Sequence, residues 1–213
     1  MCRRLIFLIC VVLALGLAPS ALAALPPGWA AQEIANPVMA TPGTANEEGG
    51  VFTLTASGDD IWGTNDELEY AFLPLRGDGE ISARVVSVTG GDNEWRKAGV
   101  MIRETLTDTS KSVNMCLSHP DYTHGNHWAH VLALQFRPTT GGASLSSYAV
   151  PSGYAGLPYW IKLVRQGNLF TSYRSPDGVT WTRFSIAIVN MGKDVYIGLS
   201  LTSHNRTQVT TTS

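Results

Sequence analysis

Two carboxylates, Glu67 and Glu69, lie two residues apart in Asp66-Glu67-Leu68-Glu69-Tyr70. On a strand such residues share a face about 6.5–7 Å apart. That is close to the separation at which one carboxyl protonates a glycosidic oxygen while the other activates water. The same text also describes an ordinary solvated face opposite a Leu68–Tyr70–Phe72 core. A second chemistry comes from the six tryptophans. A flat indole stacks on the apolar side of a pyranose ring, while Asp, Asn and Arg bond its hydroxyls. Trp62, Trp95 and Trp128 fall in polar turn or loop contexts, and with Arg103 they form the candidate ligand-binding set. Trp160 and Trp181 lie inside strand text and are expected in the core. His119, Asp121, His124, His127 and His130 crowd one polar stretch that could offer imidazoles to zinc or copper. Pro120 and Gly125 deny that stretch the fixed spacing of a helix, and an exposed loop with chance His enrichment is the plainer reading. No Gly-x-Ser-x-Gly elbow occurs to suggest a serine triad.

The first residues are expected to direct export rather than to join the fold. Arg3 and Arg4 form a basic start, Leu5 to Leu17 is an apolar run, and Ala21-Leu22-Ala23 is a small-residue cleavage pattern. Residues 1–23 therefore read as a signal peptide cut after Ala23. The run is short for a membrane span and no second one follows, so no membrane association is expected after removal. Cys2 and Cys10 leave with the segment. Cys116 stays, in the apolar text Val113–Leu117, and reads as a buried inert thiol without a disulfide partner. The net charge of −2 at pH 7 becomes −4 once the two arginines go, since no acid leaves with them. Such a chain has no basic stripe for nucleic acid.

The remainder, 24–213, is long enough for one all-β domain. Gly28 to Ile34 is a possible first edge strand, followed by loop to Gly50. Val51–Ala56 alternates, and Gly58–Gly63 reads as a glycine-bracketed turn. Asp66–Leu75 and Ile81–Val88 each show a period of two and, joined through Gly77-Asp78-Gly79, are expected to form a hairpin. Further strands are expected over Ala98–Glu104, Val113–Leu117, Ala129–Arg137, Ala143–Val150, Thr182–Val189 and Asp194–Ser203, the last as a half-buried strand. Tyr159–Arg165 and Leu169–Ser175, joined through Gln166-Gly167-Asn168, carry the strongest hairpin signal in the chain. Many short strands at spacings of about ten residues, with glycine-rich turns and no sustained helical period, argue an antiparallel sandwich.

Four stretches taken together extend this reading: GDDIWGTNDELEYAFLPLRGDGEISARV at 58–85, WRKAGVMIRETL at 95–106, YWIKLVRQGNLFTSYRSPDGVTW at 159–181 and VYIGLSLTSHN at 195–205. They resemble the secreted concanavalin A-like lectin/glucanase modules of bacterial surface and exported proteins, related to β-xylosidase C-terminal and laminin G-like sandwich domains. The resemblance implies a jelly roll of two curved antiparallel sheets, and a fold alone implies no reaction. Glucanases of that fold carry Glu-x-Asp-x-x-Glu on one strand, whereas Ala71 and Phe72 stand here where further acids are needed. Sandwiches of this class often hold one Ca²⁺ where loops meet, which makes Asp59, Asp60, Asp66 and Asp194 candidate ligands. Asp at turns is equally expected from its own backbone hydrogen bonds. The family pattern continues past the TSHN motif with a closing strand, of which Thr207–Ser213 would supply part. The function expected is carbohydrate binding, or service as an accessory module beside other domains of a longer protein. A hydrolase or lyase using Glu67 and Glu69, and an adhesive surface domain, are the alternatives.

Overall fold

The structure is a computed structural model that describes residues 24–39, 41–118, 132–149 and 156–213. The expected export segment, the His119–His130 stretch and Trp128 lie outside the described residues. Every regular element described is a strand: β1 (Ala30–Ile34), β2 (Thr44–Glu48), β3 (Val51–Gly58), β4 (Ile61–Trp62), β5 (Asn65–Asp66), β6 (Leu68–Arg76), β7 (Gly79–Val85), β8 (Val88–Thr89), β9 (Lys97–Arg103), β10 (Ser112–Ser118), β11 (Leu132–Arg137), β12 (Leu145–Ala149), β13 (Tyr159–Gln166), β14 (Leu169–Ser175), β15 (Thr182–Ile188), β16 (Asp194–Thr202) and β17 (Asn205–Thr212).

These strands build the antiparallel sandwich expected from the turn spacing, with the jelly-roll form implied by the resemblance. One layer is a seven-stranded sheet in the order β1-β6-β16-β9-β10-β11-β12. The facing layer consists of two four-stranded sheets, β15-β14-β13-β7 and β2-β3-β17-β8. The first packs over β9, β10 and β11, the second over β6 and β16. Their inner faces meet in one apolar core, to which Val100, Ile102, Val113 and Met115 contribute from one layer and Leu54, Ile161, Leu163 and Phe170 from the other. Burying each such side chain contributes about 1.5–3 kcal/mol.

The β13–β14 hairpin forms as expected, with Gln166 paired to Leu169 around a turn in which Gly167 takes φ +60°. Other expectations are overturned by the sheet order. β6 and β7 do not pair: the turn at Gly77 carries the chain from one layer to the other, and β7 pairs with β13 instead. β2 lies in text taken as loop, held on β3 in register from Thr44↔Thr55 to Glu48↔Val51. The first half of β6 is covered on its inner face by β3 and on its outer face by Ile61, so its period of two marks no solvated face there. Glu67 and Glu69 are accordingly 1% and 3% exposed rather than solvated, and Ser200 and Thr202 are buried beside the apolar row of β16. Trp160 and Trp181 are half-buried rather than core. Their rings meet edge to face at 6.5 Å, and the Lys162 ammonium stands 4.2 Å from the Trp181 ring centre. Thr207–Ser213 falls largely within β17, which pairs with both β3 and β8.

Candidate functional site

The residues between β3 and β6 form a flap folded across the outer face of the seven-stranded sheet. Its start requires Gly58, at φ +114°, because a Cβ there would come within 2.7 Å of the Glu67 carbonyl oxygen. The β4–β5 hairpin then turns at Gly63, φ +60°, with Ile61 opposite Asp66 and Trp62 opposite Asn65. Ile61 is the apolar foot of the flap, packed with Leu68, Tyr70, Phe72 and Met101 on that outer face. The tip is tied down through the Trp62 carbonyl, which accepts from Arg137 at 3.1 Å, and the Gly63 carbonyl, which accepts from the Ser144 hydroxyl at 3.0 Å.

Beside this flap opens a polar cleft of about 250 Å³, lined by Asp59, Asp60, Trp62, Gly63, Asn65, Glu67 and His204. The Trp62 side of the hairpin faces solvent, with the residue 38% exposed. Lys97, at the start of β9 and 3% exposed, places its ammonium on Asp60, donates to the Ile61 carbonyl at 3.3 Å and lies 5.9 Å from the Trp62 ring centre. His204 follows β16 in the left-handed region, φ +54°, and brings Nε2 to 3.2 Å from Asp60 Oδ2. A non-glycine residue held there carries backbone strain and is found where a site fixes a side chain. Glu67 is clamped on one side by the Arg206 guanidinium, whose Nε donates at 2.9 Å, and on the other by the Asp59 N–H at 2.8 Å.

The electrostatics follow from these contacts. Burial opposes ionisation of Asp60, but the bonds from His204 and Lys97 and their charges outweigh it and hold the carboxyl below its ordinary range. Burial likewise opposes ionisation of Glu67, and is outweighed by Arg206 and the Asp59 N–H. The bond to Asp60 raises the His204 imidazole above its ordinary value despite partial burial. Both inward carboxylates are therefore anionic at neutral pH, fixed acceptors rather than proton donors. The carboxyl that does hold a proton near neutrality, Glu69, pushed up to about 7 by burial and by the charge of Glu33, is not among the cleft residues. Glycoside hydrolysis needs an acid and a base flanking one bond, and the cleft supplies no such acid from Glu67 and Glu69.

Among the other expected site residues, Arg103 is not a ligand contact. It is fully buried, donates to the Thr105 and Thr107 carbonyls, and lies 3.5 Å from Asp66. Asp66 is not a free metal ligand either: Arg137 holds both of its oxygens, at 2.8 and 2.5 Å. The Lys97 ammonium takes the place beside Asp60 where a cation was expected. Asp194 is exposed at the far end of β16, paired with Arg76 at 3.7 Å, eight residues from Thr202 and so about 26 Å along the strand. The four aspartates thus do not share one ion site. Trp95 is half-buried in the turn before β9, its N–H donating to Asn93 Oδ1 at 2.8 Å. Of the expected set the structure brings together Trp62, Asp59, Asp60 and Glu67. It adds Asn65, from the 58–85 stretch, Lys97, two residues after Trp95, His204, within the TSHN motif, and Arg206, just past it.

No family model matches the chain, and no curated protein does. Among solved structures, a functionally unknown protein from Saccharomyces cerevisiae is 19% identical, with a TM-score of 0.60 over 79% of this chain and 87% of that one. The CBM2 module of the evolved Dit protein of Lactobacillus casei BL23 phage J-1 is 11% identical, with a TM-score of 0.50 over 88% and 87%. Lectin II from Ulex europaeus is 10% identical, with a TM-score of 0.49 over 89% and 92%. At these identities the likeness is one of fold.

Proposed function

We propose that the protein is an exported, non-catalytic carbohydrate-binding module, of the kind carried by bacterial surface proteins, with its glycan site in the cleft beside Trp62. One observation carries this reading: a solvent-facing indole stands at the edge of a cleft whose polar groups are already held in place by the protein. A sugar ring stacked on Trp62 would meet Asp59, Asn65, Glu67 and His204 as hydroxyl partners. Because Lys97 and Arg206 already neutralise Asp60 and Glu67, no charge must be desolvated unpaired when a neutral sugar enters. The sandwich shared with a phage module named CBM2 is in keeping with the reading. Other domains of a longer protein are the natural companions of such a module.

The test is retention on immobilised polysaccharides and a glycan array, comparing the wild-type chain with Trp62→Ala. Binding by the wild type that weakens at least about 5-fold in the variant is expected. A folded protein that binds no glycan overturns the proposal.

A further inference from the structure

The facing layer of the sandwich is split. Among the described residues β7 pairs on one side only, with β13, and β8 only with β17, so the two four-stranded sheets adjoin without a ladder between them. The seam is bridged at its end, where the Val86 N–H donates to the Ser213 carbonyl at 2.6 Å and Ser87 and Ser213 exchange backbone bonds. Beneath the seam lies a cavity of about 440 Å³. Its walls are Trp29 and Phe52 on one side and Ile81 and Ala83 on the other, Leu199 lies on its floor, and Trp160 stands with Arg84 at its outer rim. Leu199 is the informative residue. It sits mid-strand in β16, flanked by Ala71 of β6 and Val100 of β9, in the middle of the seven-stranded sheet. A side chain there would ordinarily be sealed, yet it is only partly buried, as are Trp29, Phe52, Ile81 and Ala83. The core is therefore open to the outside through the seam.

Packed interiors leave few voids larger than a water molecule, and a cavity walled mainly by indole, phenyl and aliphatic groups, with Ser200 and Thr212 among its few polar residues, favours an apolar occupant. The volume falls in the roughly 300–1,000 Å³ range of small-molecule sites. Val51 and Val86 line the same opening, at 48% and 44% exposure, and continue its apolar surface to the solvent. Arg84 is the one charged side chain among the described residues that line the cavity. It stands across from Trp160 in the β7–β13 ladder, lines the opening and is exposed, with no salt-bridge partner among the described residues.

We propose that this seam is a second binding site, independent of the Trp62 cleft, that takes a free single-chain amphiphile with an apolar tail and an anionic end, such as a fatty acid. The tail lies over Leu199 between Trp29–Phe52 and Ile81–Ala83, and the carboxylate meets Arg84 at the opening. Trp29 in its wall and Trp160 at its rim make their fluorescence a direct reporter.

The test titrates dodecanoate and uncharged dodecanol, below micelle-forming concentrations, into the wild-type protein, Ala83→Trp and Arg84→Glu, by calorimetry and tryptophan fluorescence. Each variant is first shown to fold by circular dichroism and thermal melting. The wild type should bind one dodecanoate saturably. Ala83→Trp, which plugs the cavity, should weaken both ligands at least about 10-fold. Arg84→Glu should weaken dodecanoate at least about 5-fold and leave dodecanol unchanged. If the plugged variant does not fold, the contrast between the two ligands in Arg84→Glu decides alone, because Arg84 is exposed. Absence of saturable dodecanoate binding, equal binding by the Arg84 variant, or binding to phosphatidylglycerol vesicles in place of the free chain overturns the proposal.

Discussion

Glu69 stands directly across from Glu33 in the β1–β6 ladder, a like-charged pair with no cation of the described residues beside it. Glu69 is 3% exposed, and its Oε2 has no hydrogen-bond partner among the described residues. Its carboxyl is pushed up to about 7 from an ordinary 4.5, first by burial and then by Glu33. Because the folded value is the higher one, this group favours folding fully below about pH 4.5, and that contribution is lost as the pH climbs through about 7. The loss is on the order of 2–3 kcal/mol. Glu69→Gln, which can donate to Glu33 at every pH, should raise the melting temperature at pH 8 and change it little at pH 5. Equal shifts at the two pH values would contradict this account.

The bonds at Asp60 predict an opposite slope at lower pH. Its depressed carboxyl stabilises the fold above its unfolded value of 3.8 and loses that contribution as the pH falls through the lower folded value. Lys97→Ala leaves the half-buried carboxylate without its ammonium and should cost about 2–4 kcal/mol in urea unfolding at pH 7, with Lys97→Ala/Asp60→Ala recovering part of it.

His204 should titrate above 6.5 by proton NMR, and Asp60→Asn should bring it down, since the bond to Asp60 is the largest cause of the rise. The imidazolium stabilises the fold fully below 6.5 and ceases to do so as the pH rises through the folded value. If glycan binding uses the Asp60–His204 pair, affinity should change across that same titration and become pH-independent in His204→Gln.

Arg137 and Arg103 converge on Asp66 with all three side chains at most 1% exposed. Arg137→Ala leaves a buried carboxylate short of one partner and releases the Trp62 carbonyl, so about 3–5 kcal/mol of stability should go, measured by chemical unfolding. Arg103→Ala should also destabilise, without a specific effect on ligand affinity in whatever fraction folds.

Cys116 is buried, and desolvation pushes its thiol up to about 12. A thiol reagent at pH 8 should therefore label it slowly in the native protein and promptly in guanidinium.

The strands were legible wherever apolar residues alternate between glycine turns, as in Tyr159–Ser175, because there the local period and the buried face agree. What the sequence did not reveal was which strands are interior. Glu67 and Glu69 alternate with Leu68 and Tyr70 as a solvated face would, yet β1 and β16 flank β6 and the second layer covers it, so the carboxylates are buried and find Arg206 or none. Gly77-Asp78-Gly79 has the text of a hairpin turn, but a turn that changes layers needs the same glycines. The cleft was half legible: Asp59, Asp60 and Trp62 stand together in the sequence, whereas Lys97, His204 and Arg206 reach them only through sheet pairing. Arg103 lies in text as polar as any surface strand end, and nothing local distinguishes a guanidinium that caps buried carbonyls from one that meets a ligand.

The pairing of β17 between β3 and β8 also sets a timetable for folding. Ser213 reaches back 126 residues to bond Ser87, and among the described residues β8 has no strand neighbour other than β17. Such distant pairings cost loop entropy before they return any contact, which places chains of this topology among the slower folders, at milliseconds to seconds. Until that last strand docks, the β3 edge is unpaired and the seam above Leu199 has no Ser213 to close its end. Any partly folded form that lacks β17 would present an exposed sheet edge, the form in which a sandwich is most open to pairing with a neighbour instead of with itself.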